Sequence, residues 1–238
     1  MVNKIQSWTK KPICPDTEGG QIRCSILSDV ITVKSHEIVE FVNKSNLSDK
    51  TQIGITGGDV SQLFRKGDLV KIDFDGVLIH IIRISSKKLI GRVICGGIIG
   101  NNKGLSCDRI IDIPSFSNKD EQIIEVSKKL GLNNIFLSFC SRGEDVLYLR
   151  KKFDYEINVI SKIESKLGLQ NLKKICSESD TILIDRGDLS REVPLEKIPF
   201  AQKYILDEAN AVNTPVYVAT NLMDNMIINS KPTRAEVN

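Results

Sequence analysis

Four side chains suited to a shared reaction site follow strand-like runs in the second half of the chain. Lys162 and Glu164 end the run INVISKIE, Asp188 follows TILIDRG, and Thr220 follows PVYVA. Successive parallel strands end on one face of a sheet, so these residues are expected to converge although they lie far apart in sequence. A lysine, two carboxylates and a threonine together suit metal-assisted phosphoryl or carboxylate chemistry.

Each of these residues has a simpler interpretation when it is taken alone. A Lys-x-Glu sequence after a strand is commonly a surface ion pair. Arg186-Gly187-Asp188 is a turn signal, and Thr220 suits an ordinary strand. The order and spacing of the whole set, rather than any single motif, favour a common site.

The elements that must position these residues alternate between strand-like and helix-like segments from about Ile135 onward. NIFLSF precedes a helix expected from Ser141, and INVISKIE precedes a helix near 167–178. TILIDRG precedes a long helix expected from Pro194, and VYVATNLM is the next strand-like run. This alternation predicts a repeated β/α unit.

Two of the helix starts carry the S-x-x-D/E pattern of a capping box, in which side chains satisfy orphan backbone donors. They are Ser117 with Asp120 and Ser141 with Glu144. The helix after Pro194 has an apolar stripe at spacings of three and four, as expected where a helix covers a sheet.

Residues 25–104 have a different pattern, with short runs such as VITV and VLIHIIRI separated by GGD and RKGD turns, which predicts a small all-β domain. The predicted organisation is a barrel strand segment at 1–24, the inserted β domain at 25–104 and a β/α barrel segment at 105–238. With a strand near Pro12–Thr17, about five barrel strands are recognisable, whereas a complete barrel needs eight. The predicted fold class is α/β, a partial (β/α) TIM-type barrel with an inserted small all-β domain.

Composition excludes several classes of function. The 238 residues are 41% apolar and carry 33 basic and 30 acidic side chains, mixed along the chain, so no basic tract indicates nucleic acid or a membrane surface. The six cysteines form no CxxC pair and the first residues contain no apolar leader segment, which predicts a reduced, cytoplasmic protein. His80 lies in an apolar run, where a packed strand residue is expected rather than a catalyst.

The order of the motifs resembles the pyruvate kinase family. SKIE, RGDLSREVP, the AT-N-LM run and KPTRAE follow one another as in that family, and DTEGGQIR is similar to its DTKGPEIR. The resemblance covers nearly the whole chain but about half of a complete family member. It implies an α/β barrel interrupted by a small β domain, and a glycolytic transferase that moves phosphoryl from phosphoenolpyruvate to ADP, giving pyruvate and ATP.

The resemblance also implies roles for particular residues. Glu164 and Asp188 would hold the divalent cation, Mg²⁺ or Mn²⁺, that bridges enzyme and phosphoenolpyruvate. Lys162 would stabilise negative charge beside the transferring phosphoryl group. Gly187 and Asp188 would offer backbone N–H groups to the substrate carboxylate, and Thr220 would lie near the carbon that is protonated to give pyruvate.

Further residues are implied at two other ligand sites. Asp16 and Thr17 correspond to part of the K⁺ site, and Arg23 corresponds to an arginine at the nucleotide site. The expected ligands are phosphoenolpyruvate and ADP or ATP. A second copy or a partner chain is expected to cover the open barrel edges, because unpaired parallel strands would expose backbone and apolar faces.

The chain departs from the family pattern at positions close to the chemistry. Glu18 stands where the family has a lysine, which reverses a charge beside the nucleotide phosphates. Asp185 replaces a small residue and places an extra negative charge near the metal, while Ser190 and Asn221 replace glycine and glutamine. An arginine, an asparagine and a serine of the family's first two strands have no counterpart in residues 1–11. The isolated chain is therefore expected to be weak or inactive.

Three functions remain open from the sequence. The first is a pyruvate kinase or a fragment of one. The second is a degenerate pyruvate kinase-like subunit that binds or assembles without catalysis. The third is a metal-dependent lyase acting on phosphoenolpyruvate or pyruvate, because Glu164 and Asp188 would serve an enolate equally well.

Overall fold

The structure is a computed structural model, and it describes residues 2–73, 76–85, 88–220 and 222–237. None of the helices in these ranges is both long enough and apolar enough to cross a membrane. A short helix, α1 (Val2–Trp8), comes first.

The chain divides into two compact units. The α/β unit combines residues 1–17 with 123–238, and the β unit comprises residues 18–122. The boundaries drawn from the sequence, after residues 24 and 104, both fall inside the β unit.

The β unit is built from short strands with very little helix. Its helical turns are a 3-10 turn at Lys44–Asn46 and α2 (Val60–Leu63). Its strands are β1 (Ile22–Ser25), β2 (Val30–Val33), β3 (Ile38–Asn43), β4 (Gln52–Thr56), β5 (Leu69–Ile72), β6 (Val77–Ile84), β7 (Lys88–Cys95), β8 (Gly97–Gly100) and β9 (Gly104–Cys107).

Seven of these strands close into a barrel in the order β1-β4-β3-β7-β6-β5-β9. The neighbours are antiparallel except for the parallel pair β3 and β4, and β2 pairs with β8 in a separate antiparallel ribbon. Closure leaves no unpaired edge around the barrel. The small all-β domain predicted from the turn pattern is therefore confirmed as part of the fold class.

Alternating burial along β6 shows how the barrel is filled. Val77, Ile79 and Ile81 are fully buried, while the residues between them are only half-buried. A strand with period two turns every second side chain to one face, so the apolar set fills the interior. His80 belongs to the other set and pairs with Leu69 across the strand interface, consistent with an ordinary strand residue.

The α/β unit contains a parallel sheet of β10 (Asn134–Leu137), β11 (Asn158–Ile163), β12 (Thr181–Asp185) and β13 (Val216–Ala219), paired in chain order. The helices that alternate with these strands are α3 (Asn118–Lys129), α4 (Gly143–Lys151), α5 (Lys166–Gln170), α6 (Leu172–Glu178), α7 (Arg186–Leu189), α8 (Ile198–Ala211) and α9 (Arg234–Val237), with 3-10 turns at Leu195–Lys197 and Asp224–Ile227.

The strand expected near Pro12–Thr17 is reduced to one parallel bridge, between Asp16 and Phe136. The Thr17 amide donates to the Phe136 carbonyl over 3.0 Å, and the Phe136 amide donates to the Pro15 carbonyl over 2.9 Å. This bridge is enough to set Asp16 and Thr17 beside the end of β10.

One predicted capping box is confirmed and the other is wrong. Asp120 accepts from the Ser117 amide over 2.8 Å, and the Asp120 amide donates to the Ser117 hydroxyl over 3.2 Å. At α4 the N-cap residue is Arg142, and the carboxylate of the capping box is that of Asp145 instead of Glu144, because Asp145 accepts from the Ser141 and Arg142 amides over 3.0 and 2.8 Å.

The other helix predictions need smaller corrections. The helix expected near 167–178 is divided at Asn171 into α5 and α6. The helix expected from Pro194 begins as a 3-10 turn and becomes α-helical at Ile198. Ile205 and Ala209 of its apolar stripe are fully buried, as the spacing predicts.

We expect Ile79→Ala to lower the free energy of unfolding of the β unit by about 2–5 kcal/mol, because Ile79 is buried in the barrel core and truncation leaves a cavity. The matched control is Ile98→Ala, since Ile98 is 58% exposed in the same unit, and it should change stability by no more than about 0.5 kcal/mol. Urea denaturation followed by circular dichroism measures both. Equal effects would contradict the barrel core described above.

Candidate active site

The carboxyl ends of the four parallel strands gather the residues predicted to share a site. Ser138 follows β10, Lys162 lies in β11, and Glu164 comes directly after that strand. Asp188 lies in α7 just beyond β12, and Thr220 comes directly after β13. Parallel registry places all of these ends at one edge of the sheet.

Lys162 is surrounded by oxygen atoms. Its Nζ atom lies 3.0 Å from Glu164 Oε1 and 3.3 Å from Asp16 Oδ2, and it donates to Ser138 Oγ over 3.0 Å. Burial opposes the charged ammonium, but the negative charges of Glu164 and Asp16 outweigh burial and raise the pKa of Lys162. Lys162 is therefore a fixed cation in a partly desolvated place.

Glu164 is fully buried. Its Oε2 atom accepts a hydrogen bond from the Phe139 amide over 2.6 Å. Its Oε1 atom faces the Lys162 ammonium but accepts no hydrogen bond of good geometry within the described residues. Burial raises the pKa of Glu164 to about 7, against the lowering effect of Lys162 and the Phe139 amide. A cation at this carboxylate would favour its charged form.

Three carboxylates meet at this edge of the sheet. Glu164, Asp185 and Asp188 each offer an oxygen atom, and these atoms lie within 4.8 Å of one another. Carboxylate oxygens are the ligands that Mg²⁺ and Mn²⁺ prefer. The residues therefore fit a divalent cation.

Asp185 connects two strand ends. Its Oδ1 atom accepts hydrogen bonds from the Gly187 amide over 3.1 Å and from the Asp188 amide over 3.3 Å. Thr220 Oγ1 lies 3.1 Å from Asp185 Oδ1 and 2.6 Å from the Ala219 carbonyl oxygen, and it accepts from the Gly187 amide over 3.0 Å. Asp185 is also the N-cap of α7, and Ser190 ends that helical turn by donating from Oγ to the Gly187 carbonyl over 2.7 Å. The turn after β12 is thus tied to the end of β13.

Two residues beside these groups have a left-handed backbone conformation. Thr220 has φ +65° and Phe139 has φ +50°, which is the left-handed region that side chains with a Cβ rarely adopt. Arg186 holds Thr220 in place by donating from Nε, over 3.1 Å, and from Nη2 to its carbonyl oxygen. Such strain persists where surrounding contacts over-determine the backbone, and it is typical of functional sites.

Asp16 and Thr17, the candidates for a K⁺ site, contact Ser138 in this structure. The Ser138 amide donates to Thr17 Oγ1 over 2.9 Å, and the Ser138 hydroxyl donates to Asp16 Oδ1 over 2.7 Å. The other Asp16 oxygen faces Lys162. These oxygens therefore already have protein donors in the conformation described.

Arg23 and Glu18 belong to the β unit. Arg23 lies in β1 and donates from Nη1 to the Asn102 carbonyl over 2.9 Å. Glu18 forms an ion pair with Lys119, so its reversed charge has a partner within its own unit. The substitution at Asn221 lies outside the described residues.

Sequence reasoning missed three contributors to the site. Ser138 follows a strand in the same way as the predicted residues, so the strand-end rule would have found it. Arg191 forms an ion pair with Asp188 three residues earlier, and its guanidinium carbon lies 5.3 Å from the centre of the Phe139 ring. The Phe139 backbone amide carries no signal in the sequence.

This fold and site define a partial (β/α) TIM-type barrel with an inserted β domain and a group of charged residues at its strand ends. Residues 2–238 match the family described as "Pyruvate kinase, barrel domain". The chain therefore belongs to the pyruvate kinase family.

Individual relatives give the same result. The pyruvate kinase of Clostridium acetobutylicum is 31% identical over 245 residues, covering 99% of this chain and 52% of its own length. That of Schizosaccharomyces pombe is 32% identical over 239 residues, covering 94% and 46%. A crystal structure of a pyruvate kinase from Cryptosporidium parvum matches with a TM-score of 0.81 at 30% identity, over 99% of this chain and 50% of that one. The chain spans about half the length of the curated relatives it matches.

We expect Lys162→Met to lower the free energy of unfolding at pH 8.5 by up to about 3–5 kcal/mol. The buried Glu164, whose pKa is about 7 beside Lys162, must then either stay charged without its counter-ion or take up a proton. The double variant Lys162→Met/Glu164→Gln should recover most of that loss, since the uncompensated charge is gone. Urea denaturation of both variants checks the coupling. Additive effects of the two substitutions would contradict it.

Proposed function

We propose that the α/β unit binds phosphoenolpyruvate with Mg²⁺ or Mn²⁺ and supports transfer of its phosphoryl group to ADP, giving pyruvate and ATP. The observation that carries this proposal is the Lys162 ammonium, held among Asp16, Ser138 and Glu164 beside two further carboxylates. Membership of the pyruvate kinase family supports the same function. The proposal places the protein in glycolysis, in the cytoplasm.

Glu164 and Asp188 are the residues proposed to hold the divalent cation, with Asp185 as a further oxygen ligand. When bound, such a cation neutralises charge on the phosphoryl oxygens and orients the substrate. Arg191 keeps the Asp188 side chain directed by its ion pair. The Phe139 amide does the same for Glu164.

Lys162 is the proposed stabiliser of the transferring phosphoryl group. Three surrounding oxygen groups fix its position, so little reorganisation is needed when negative charge develops nearby. Its raised pKa keeps the ammonium charged at neutral pH. Phosphoryl transfer depends mainly on positioning and charge stabilisation, which is what this arrangement offers.

The end of β13 and the turn after β12 are the proposed place of the substrate's carboxylate and methylene groups. The Gly187 and Asp188 amides are the donors for the carboxylate, and the Thr220 hydroxyl lies beside them. The Thr220 hydroxyl can then relay a proton to the methylene carbon.

The proposal also assigns the remaining ligand sites. It includes a K⁺ site at Asp16 and Thr17 and a role for Arg23 at the nucleotide. It also includes a second copy or partner chain at the open strands.

A second candidate function is a pyruvate kinase-like subunit that binds or assembles without catalysis. The observation that favours it is the Asp185 carboxylate, which already accepts from the two backbone amides needed by the substrate. Turnover by the purified chain distinguishes the two candidates.

We expect Lys162→Ala to lower turnover in a lactate dehydrogenase-coupled assay, run with phosphoenolpyruvate, ADP, Mg²⁺ and K⁺, by about 10²–10³-fold, because it removes a charge-stabilising group. The matched control is Lys174→Ala, since Lys174 is an exposed lysine paired with Glu144, and it should leave turnover unchanged. If the unsubstituted chain does no better than Lys162→Ala, catalysis is excluded for this chain and the second candidate stands.

We expect Asp188→Asn to weaken Mn²⁺ binding by about tenfold or more, because one charged oxygen ligand is lost, and tenfold corresponds to about 1.4 kcal/mol. Asp154→Asn removes an equal charge from a side chain that is 76% exposed and should leave Mn²⁺ binding unchanged. Electron paramagnetic resonance of free Mn²⁺ measures both affinities. An equal loss in the two variants would indicate a general charge effect without a site.

A further inference from the structure

We propose that Asp185 determines ligand affinity at the candidate active site, strengthening cation binding and weakening the binding of the substrate carboxylate. This inference rests on the proposed function. It concerns a residue at which this chain departs from the family pattern, where a small residue is expected.

Hydrogen bonds to Asp185 compete with those that a substrate carboxylate would form. The Gly187 and Asp188 amides both donate to Asp185 Oδ1, over 3.1 and 3.3 Å, and Gly187 shares its proton with Thr220 Oγ1. Thr220 Oγ1 lies 3.1 Å from the same Asp185 oxygen but only 2.6 Å from the Ala219 carbonyl oxygen. Two neighbouring amides are donors well suited to a carboxylate, and an internal carboxylate already accepts from both. A substrate carboxylate must displace a group that the chain itself holds in place, so its affinity falls.

Charge also distinguishes the two ligands. Asp185 brings a third carboxylate oxygen to within 4.8 Å of those of Glu164 and Asp188, and those two carboxylates already have Lys162 and Arg191 as ion-pair partners. Like charges this close repel one another in a medium of reduced dielectric constant. A divalent cation offsets that repulsion, whereas an anionic ligand adds to it. Asp185 thus acts in opposite directions on the two ligands.

A purely structural role for Asp185 would change the affinities for the cation and for the carboxylate ligand in the same direction. Asp185 is the N-cap of α7, and losing a cap destabilises a helix. A variant that merely disordered the turn would bind both ligands less well. Asp185→Asn keeps an oxygen acceptor at the cap and removes only the charge, so it tests the proposal even if Asp185→Ala folds poorly.

The experiment compares the unsubstituted full chain with Asp185→Ala, Asp185→Asn and the exposed-site control Asp154→Asn. Mn²⁺ affinity is measured by electron paramagnetic resonance. The affinity for oxalate, a small dicarboxylate probe, is measured by calorimetry at saturating Mn²⁺. We expect Asp185→Ala to bind Mn²⁺ several-fold more weakly and oxalate about tenfold more tightly, a gain that corresponds to about 1.4 kcal/mol. Asp185→Asn should lose Mn²⁺ affinity similarly but gain less for oxalate, because its amide oxygen still occupies the donors.

The outcomes separate this inference from the function on which it rests. Unchanged or weaker oxalate binding in both Asp185 variants, with Mn²⁺ binding intact in the unsubstituted chain, would overturn the role of Asp185 and leave the proposed function standing. Equal oxalate gains in the two variants would overturn the hydrogen-bonding step. An unsubstituted chain that binds no Mn²⁺ would overturn the cation site and the inference together.

Discussion

The buried carboxylate of Glu164 is the constraint on which the candidate active site depends. A fully buried negative charge is costly unless a counter-charge and hydrogen-bond donors accompany it. Lys162 supplies the charge and the Phe139 amide supplies a donor. Lys162 in turn is held by Asp16 and Ser138, which belong to other strand positions. One carboxylate thus fixes the relative placement of several strand ends.

The same constraint explains where backbone strain is tolerated. Phe139 adopts a left-handed conformation at the residue whose amide donates to Glu164, so a strained backbone accompanies satisfaction of a buried charge. Thr220 also has a left-handed backbone conformation, and it forms hydrogen bonds with Arg186 and Asp185. At each of these two residues the left-handed backbone orients a hydrogen-bonding group toward its partner, which a relaxed backbone would not do. The strain therefore belongs to the preorganisation of the site.

Membership of a family does not by itself define how this chain binds ligands. Lys162, Glu164, Asp188 and Thr220 stand at the strand ends as the family pattern requires. Asp185 changes the balance among them, because its carboxylate uses the donors around it and raises the local negative charge. We infer that Asp185 favours a cation over an anionic ligand at this site.

The sequence by itself determined the α/β class, the all-β insertion, the convergence of residues at strand ends and the capping box of Ser117 with Asp120, because these follow from local periodicity and from parallel topology. Only the tertiary structure decided that Asp145, and not Glu144, supplies the carboxylate of the capping box at α4. It also decided that Asp185 contacts groups at two different strand ends. Both outcomes depend on distances of a few ångströms between segments that the sequence does not place against each other, and hydrogen bonds select among neighbouring carboxylates at that scale.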